Sequence, residues 1–123
     1  MRSGNLASEE ANTAETEELF EMANLYPRTT GLPMTVWVSP RGNARHDVRI
    51  KVNMVHGDRM TIDNTAVVAV RPTPHIVAGQ LSSDDERVVS EWIILNLAAI
   101  IAYWDGSIDT VQLAQTLRPL PQT

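Results

Sequence analysis

The sequence predicts an α+β fold: an antiparallel β-meander of about four strands packed on a long apolar helix, with a short C-terminal helix and an acidic N-terminal arm. Three observations predict it. Residues 45–54 alternate with a period of two, so His46, Val48, Ile50, Val52 and Met54 share one face and Arg45, Asp47, Arg49, Lys51 and Asn53 the other. Short β-forming runs separated by turn residues fill 34–77, and short connections favour antiparallel neighbours. An apolar run from Trp92 to Trp104 follows the capping-box pattern Ser83-Asp84-Asp85-Glu86.

Each element has a local reason. Residues 1–14 are small and polar and are expected to be frayed. A helix is expected from Glu15 to Leu25, where Leu19, Met22, Ala23 and Tyr26 fall at helical spacing, and Pro27 stops it. The domain division is therefore an acidic arm over 1–26, partly disordered with a short helix, and a single α+β domain over 27–123. Residues 27–33 read as a linker. Strand one is expected over 34–39, strand two over 45–54, strand three over 59–63 and strand four over 66–70, with a short edge strand at 75–77. Ser39–Asn43 and His56–Asp58 form turns. The apolar helix runs from Ser83 to about Trp104, with apolar residues nearly all round. Asp109-Thr110-Val111-Gln112 caps a final helix to Leu117.

Composition narrows the function classes. A chain of 123 residues, 43% hydrophobic, fits one domain with one core. Without cysteine, thiolate chemistry, disulfides and a thiolate zinc site are excluded. The apolar run of 13 residues falls short of the roughly 20 a membrane span needs. No basic–apolar–small pattern marks a secretory signal, so a cytoplasmic protein that meets no membrane is expected. The net charge of −5 hides an asymmetry. The first 25 residues carry six glutamates (Glu9, Glu10, Glu15, Glu17, Glu18, Glu21) against Arg2. Residues 28–60 carry six cations (Arg28, Arg41, Arg45, Arg49, Lys51, Arg59) against Asp47 and Asp58. The arm and the basic sheet can pair with each other, or the sheet can meet an anionic partner.

Candidate chemistry centres on the second strand. On a strand His46 and Asp47 point to opposite faces, so they do not pair side by side unless a bulge intervenes. His46, His56 and His75 show neither H-x-H nor H-x-x-x-H spacing, and no metal or cofactor is expected. There is no G-x-S-x-G elbow and no phosphate-loop glycine pattern. Arg45, Arg49 and Lys51 share a face, and Trp37 joins it if strand one pairs in register. That combination follows the stacking logic of RNA-binding sheets. Against it stand the 5% aromatic content and the acidic chain, and a merely solvated face is the competing reading. Trp92, Tyr103 and Trp104 read as core or dimer anchors.

Two stretches carry a resemblance. One runs from Gly31-Leu32-Pro33 through Trp37-Val38-Ser39-Pro40-Arg41-Gly42-Asn43-Ala44-Arg45-His46-Asp47-Val48-Arg49-Ile50-Lys51. The other comprises Glu91-Trp92-Ile93, Leu95-Asn96, Tyr103-Trp104-Asp105-Gly106-Ser107-Ile108-Asp109-Thr110 and Leu117-Arg118-Pro119-Leu120. Together, over residues 31–120, they resemble a group of small uncharacterised bacterial proteins. The second stretch is also similar to the C-terminal helix region of a larger domain-of-unknown-function family often encoded near toxin–antitoxin genes. The resemblance implies a small cytosolic bacterial α+β domain and brings no catalytic residue with it. The larger family tends to carry a His-Phe-His pattern near its sheet. Here the nearest equivalent, Arg45-His46-Asp47-Val48-Arg49, has one histidine.

The functional expectation is a non-enzymatic interaction module and homo-oligomer. Its partner-binding residues are Trp37, Arg45, Asp47, Arg49 and Lys51, and its partner is an anionic protein or RNA. The alternative is a small nuclease or hydrolase centred on His46, Asp47 and Arg49. Convergence of His46 and His56 with a carboxylate in one cleft favours the enzyme, and dispersal favours the module.

Overall fold

The computed structural model describes residues 22–121, so the expected frayed segment and most of the expected first helix lie outside the described residues. The elements are β1 (Ala23–Leu25), α1 (Pro27–Thr30), β2 (Val36–Val38), β3 (Arg49–Asn53), a 3-10 turn (Ile62–Asn64), β4 (Thr65–Ala69), β5 (His75–Ala78), α2 (Ser83–Leu95), α3 (Leu97–Trp104) and α4 (Thr110–Thr116). The strands form one sheet in sequence order, and every neighbouring pair is antiparallel. The α+β class is therefore right, with five strands where about four were expected.

Alternation puts Val36, Val38, Ile50, Val52, Ala66 and Val68 on one face, all buried. That face shares a single core with Val89, Trp92 and Ile93 of α2, Ile100, Tyr103 and Trp104 of α3, and Leu113 of α4. The helices therefore line one side of the sheet. Among the described residues nothing comparable gathers on the other.

Several expectations need correction. Ala23–Leu25 end not a helix but begin the sheet, because they pair with Val36–Val38. Pro27 starts a turn of helix at its first position, where a missing N–H costs nothing, and Gly31 (φ 77°) closes it. The strand expected over 45–54 is regular only over 49–53, and no strand forms over 59–63. Side chains tie the loop that leads into it: Asn53 Nδ2 donates to the Val55 and Arg59 carbonyls at 2.7 Å each, and Thr35 Oγ1 donates to the Gly57 carbonyl. Asn53 is consequently buried, although alternation alone puts it outside.

The long apolar helix is not continuous. α2 and α3 meet at Asn96 (φ −112°, ψ 19°) and are bent by 75°. Asn96 Nδ2 donates to the Trp92 and Arg118 carbonyls, and its Oδ1 accepts from the Arg118 N–H. A side chain that holds a peptide from another part of the chain this way competes with helix continuation. Nor is α2 apolar all round, since Asp84, Glu86, Arg87 and Glu91 are exposed. Its N-cap is Ser82, whose Oγ accepts from the Asp85 N–H, and not Ser83. The box at Asp109 and Gln112 forms as expected, with both reciprocal bonds. Among the described residues no single helix is long and apolar enough to cross a membrane.

Candidate functional site

The sheet's second face is set by register. Asn24 pairs with Trp37, Trp37 with Lys51, Lys51 with Val67, and Val67 with Ala78, giving one row across all five strands. The next row holds Arg49, Ala69 and His75. Directly opposed side chains lie about 5 Å apart at Cβ, so Trp37 and Lys51 are immediate neighbours. The indole edge is fixed: Trp37 Nε1 donates to Asn24 Oδ1 at 3.0 Å, and Asn24 Nδ2 donates to the Tyr26 hydroxyl.

The electrostatics of this face follow from what the strands lack. No residue of β1–β5 is acidic. Neither Arg49 nor Lys51 has a carboxylate partner among the described residues. Acidic groups gather instead on the helix layer, where Asp84, Asp85, Glu86 and Glu91 stand against Arg87 on α2 alone. Charge is thus segregated across the fold, with a cationic sheet face opposite an acidic helix layer.

Two of the expected site residues leave this face. Arg45 and Asp47 lie in the irregular segment before β3, both exposed. Arg71, just past β4, grips Asp47 with both ends of its guanidinium: Nε and Nη2 each donate to one carboxylate oxygen at 2.8 Å. These bonds, helped by the Val48 backbone N–H, lower the Asp47 pKa to about 2, and they raise that of Arg71. Asp47 is therefore already neutralised by a neighbour.

The enzymatic constellation disperses. His46 Nδ1 donates to the Asp47 backbone carbonyl, and its ring lies 5.7 Å from that of Trp104. Arg49 belongs to the sheet face. His56 sits beyond the opposite end of β3, with Nε2 3.0 Å from each carboxylate oxygen of Asp85. His75 turns its Nδ1 to the Thr73 carbonyl. Among the described residues no three His, Cys, Asp or Glu side chains come together as a metal site.

Sequence reasoning missed the His56–Asp85 and Asp47–Arg71 pairs, which bridge 29 and 24 residues. No local signal announces contacts at such separations. No family model matches this chain, and neither the curated proteins nor the solved structures provide a match.

Proposed function

We propose that this protein is a non-enzymatic interaction module that binds an anionic partner on the open face of its sheet. One observation carries the reading: among the described residues Arg49 and Lys51 stand without carboxylate partners on a face whose strands contain no acidic residue, and Trp37 is beside them. An unpaired cation on a sheet is free to meet an external anion, whereas a cation in a surface ion pair must first give that pair up. Arg45 adds positive charge in the segment that leads into β3. Asp47 contributes through its grip on Arg71 and not through the partner. The separation of His46 from His56 counts against the hydrolase reading, because acid–base chemistry needs its groups within hydrogen-bond reach of one substrate.

The experiment is retention on an immobilised polyanion such as heparin at two salt concentrations. Arg45→Glu, Arg49→Glu and Lys51→Glu together should abolish retention. A control with Arg59, Arg87 and Arg118 reversed changes net charge equally and should retain most of it. Equal losses in the two triple variants would reduce the face to a contribution of net charge and end the proposal.

The module is further proposed to work as a homodimer. Ile94, Leu95 and Leu97 cluster at the bend between α2 and α3 and are 62%, 40% and 37% exposed. Their burial by a second copy would remove apolar surface from water. Sedimentation of the unaltered protein and of Ile94→Glu should then show a dimer and a monomer. A monomeric unaltered protein at micromolar concentration overturns this part alone.

A further inference from the structure

We infer that the anionic partner is a single-stranded nucleic acid, with phosphates on Arg49 and Lys51 and a base stacked on Trp37. This rests on the reading of the sheet face as an anion-binding surface and goes one step further, to the chemistry of what it binds.

Three features select this partner over an acidic polypeptide. The first is the aromatic. An acidic peptide needs cations only, but here the cationic pair stands beside Trp37, the only tryptophan, tyrosine or phenylalanine in the five strands. Trp37 is partly exposed, and its bond to Asn24 holds the ring edge toward β1, with Lys51 on the other side. A pre-fixed ring loses little freedom when a base stacks on it.

The second feature is relief. The remaining positions around Trp37 and Lys51 are small or short: Val67, Ala69 and Ala78. A sheet floor with short side chains beside the Trp37 ring admits an unstacked base lying parallel to that ring, as sheet-based binders of single strands use. A duplex keeps its bases stacked internally and offers none to Trp37.

The third is spacing. Arg49 and Lys51 are two residues apart on β3, about 6.7 Å along the strand. They point the same way and can hold successive phosphates of one extended backbone. Stacking is available to any base and phosphate contacts carry no sequence information, so binding should be tolerant of sequence and indifferent to the sugar.

The test uses the full chain and four fluorescent probes of equal length. These are a mixed-sequence single-stranded RNA 12-mer, the same sequence as a duplex, an abasic sugar-phosphate 12-mer and an oligoglutamate. The single strand should bind at least tenfold tighter than the other three. Its affinity should fall with rising salt at a log–log slope of about −1.4, the value for two phosphates released from a single strand. Trp37→Leu should weaken the single strand at least tenfold, to the level of the abasic probe, while Trp37→Phe keeps most of the affinity. Circular dichroism melts of both variants confirm that the fold is retained. Equal binding of the abasic probe or the oligoglutamate, lost on reversal of Arg49 and Lys51, would overturn the nucleic-acid inference and leave the anion-binding module standing. So would a Trp37→Leu variant with unchanged affinity. Absence of binding to all four probes would overturn both.

Discussion

The carboxamide of Asn96 makes to the Arg118 peptide the two bonds that a neighbouring strand would make: Nδ2 to the carbonyl at 3.0 Å, and Oδ1 from the N–H at 2.7 Å. The same Nδ2 also reaches the Trp92 carbonyl one turn back. One buried side chain therefore ends α2, aims α3 and fastens the C-terminal tail. Two residues further on, the Leu120 N–H continues the attachment to the Thr30 carbonyl.

Replacing Asn96 with leucine keeps the number of heavy atoms and the branching and removes all three bonds. The Arg118 N–H and carbonyl then lose their partner, at about 1–3 kcal/mol for each group that water does not reach, whereas the Trp92 carbonyl keeps its bond from the backbone N–H of residue 96. The expected outcome is a urea midpoint lowered by about 2–4 kcal/mol equivalent, with faster amide exchange at Arg118 and Leu120. An unchanged midpoint would be the opposite result, and a bend that persists in the variant would show that it is intrinsic to the backbone.

The helix start is fixed by one hydroxyl. Ser82 Oγ accepts from the Asp85 N–H, so Ser82→Ala should cost about 1 kcal/mol, whereas Ser83→Ala should stay within a few tenths. The pair of variants separates a cap from a general preference for serine, because the two side chains differ by one position. Chemical denaturation with an unchanged m-value is the measurement.

The alternation in β3 was legible because Val48, Ile50 and Val52 need only a period of two to find the core. β1 was not. Ala23 fits a helical stripe with Leu19, Met22 and Tyr26 equally well, and only the ladder with β2 makes Ala23–Leu25 a strand. Asn96 was visible as a polar residue inside an apolar run, yet the bend depends on the Arg118 peptide, 22 residues away. Nothing in the local sequence sets Gly79 apart from other glycines. In the fold its φ is 77°, and a Cβ there would sit 2.8 Å from the Ala66 Cα, so no other residue fits beside β4. At the site, the cations were readable from composition. The adjacency of Trp37 and Lys51 needed a register that no single strand contains, and the removal of Asp47 needed Arg71 from a later loop.

The Asp47–Arg71 pair predicts a narrow acid dependence. Its hydrogen bonds from Arg71 hold the Asp47 pKa at about 2, below the ordinary 3.8. A depressed folded-state pKa means the unfolded chain binds the proton first. The pair's contribution is therefore fully present above about pH 4 and is lost as pH falls toward 2. Asp47→Asn should show a shallower loss of stability than the unaltered protein across that window, and the two should run parallel above pH 5. Because both side chains are exposed, the difference should shrink in high salt. Urea midpoints at pH 5, 3 and 2 with low and high salt decide it, and identical acid limbs would show that the ion pair does not form in solution.

The glutamate-rich arm bears on affinity through charge. Residues 1–21 carry six glutamates and one arginine, and they join the sheet just ahead of Ala23. β1 runs antiparallel to β2, with Ala23 opposite Val38 and Val38 opposite Ile50. β1 thus begins at the end of the sheet where Arg49 lies, two strands away. Roughly five negative charges tethered there raise the local concentration of a competing anion for the same cations, and they repel an approaching polyanion. Deleting residues 1–21, which keeps β1 whole, should tighten binding of the single-stranded probe at low salt. Added salt should narrow the gap between the truncated and full-length proteins, because both effects are screened. Replacing the six glutamates with glutamine in the full chain should reproduce the gain and so separate charge from bulk. Affinities that stay equal across full-length, truncated and glutamine-substituted proteins at both salt concentrations would remove the arm from the binding equilibrium.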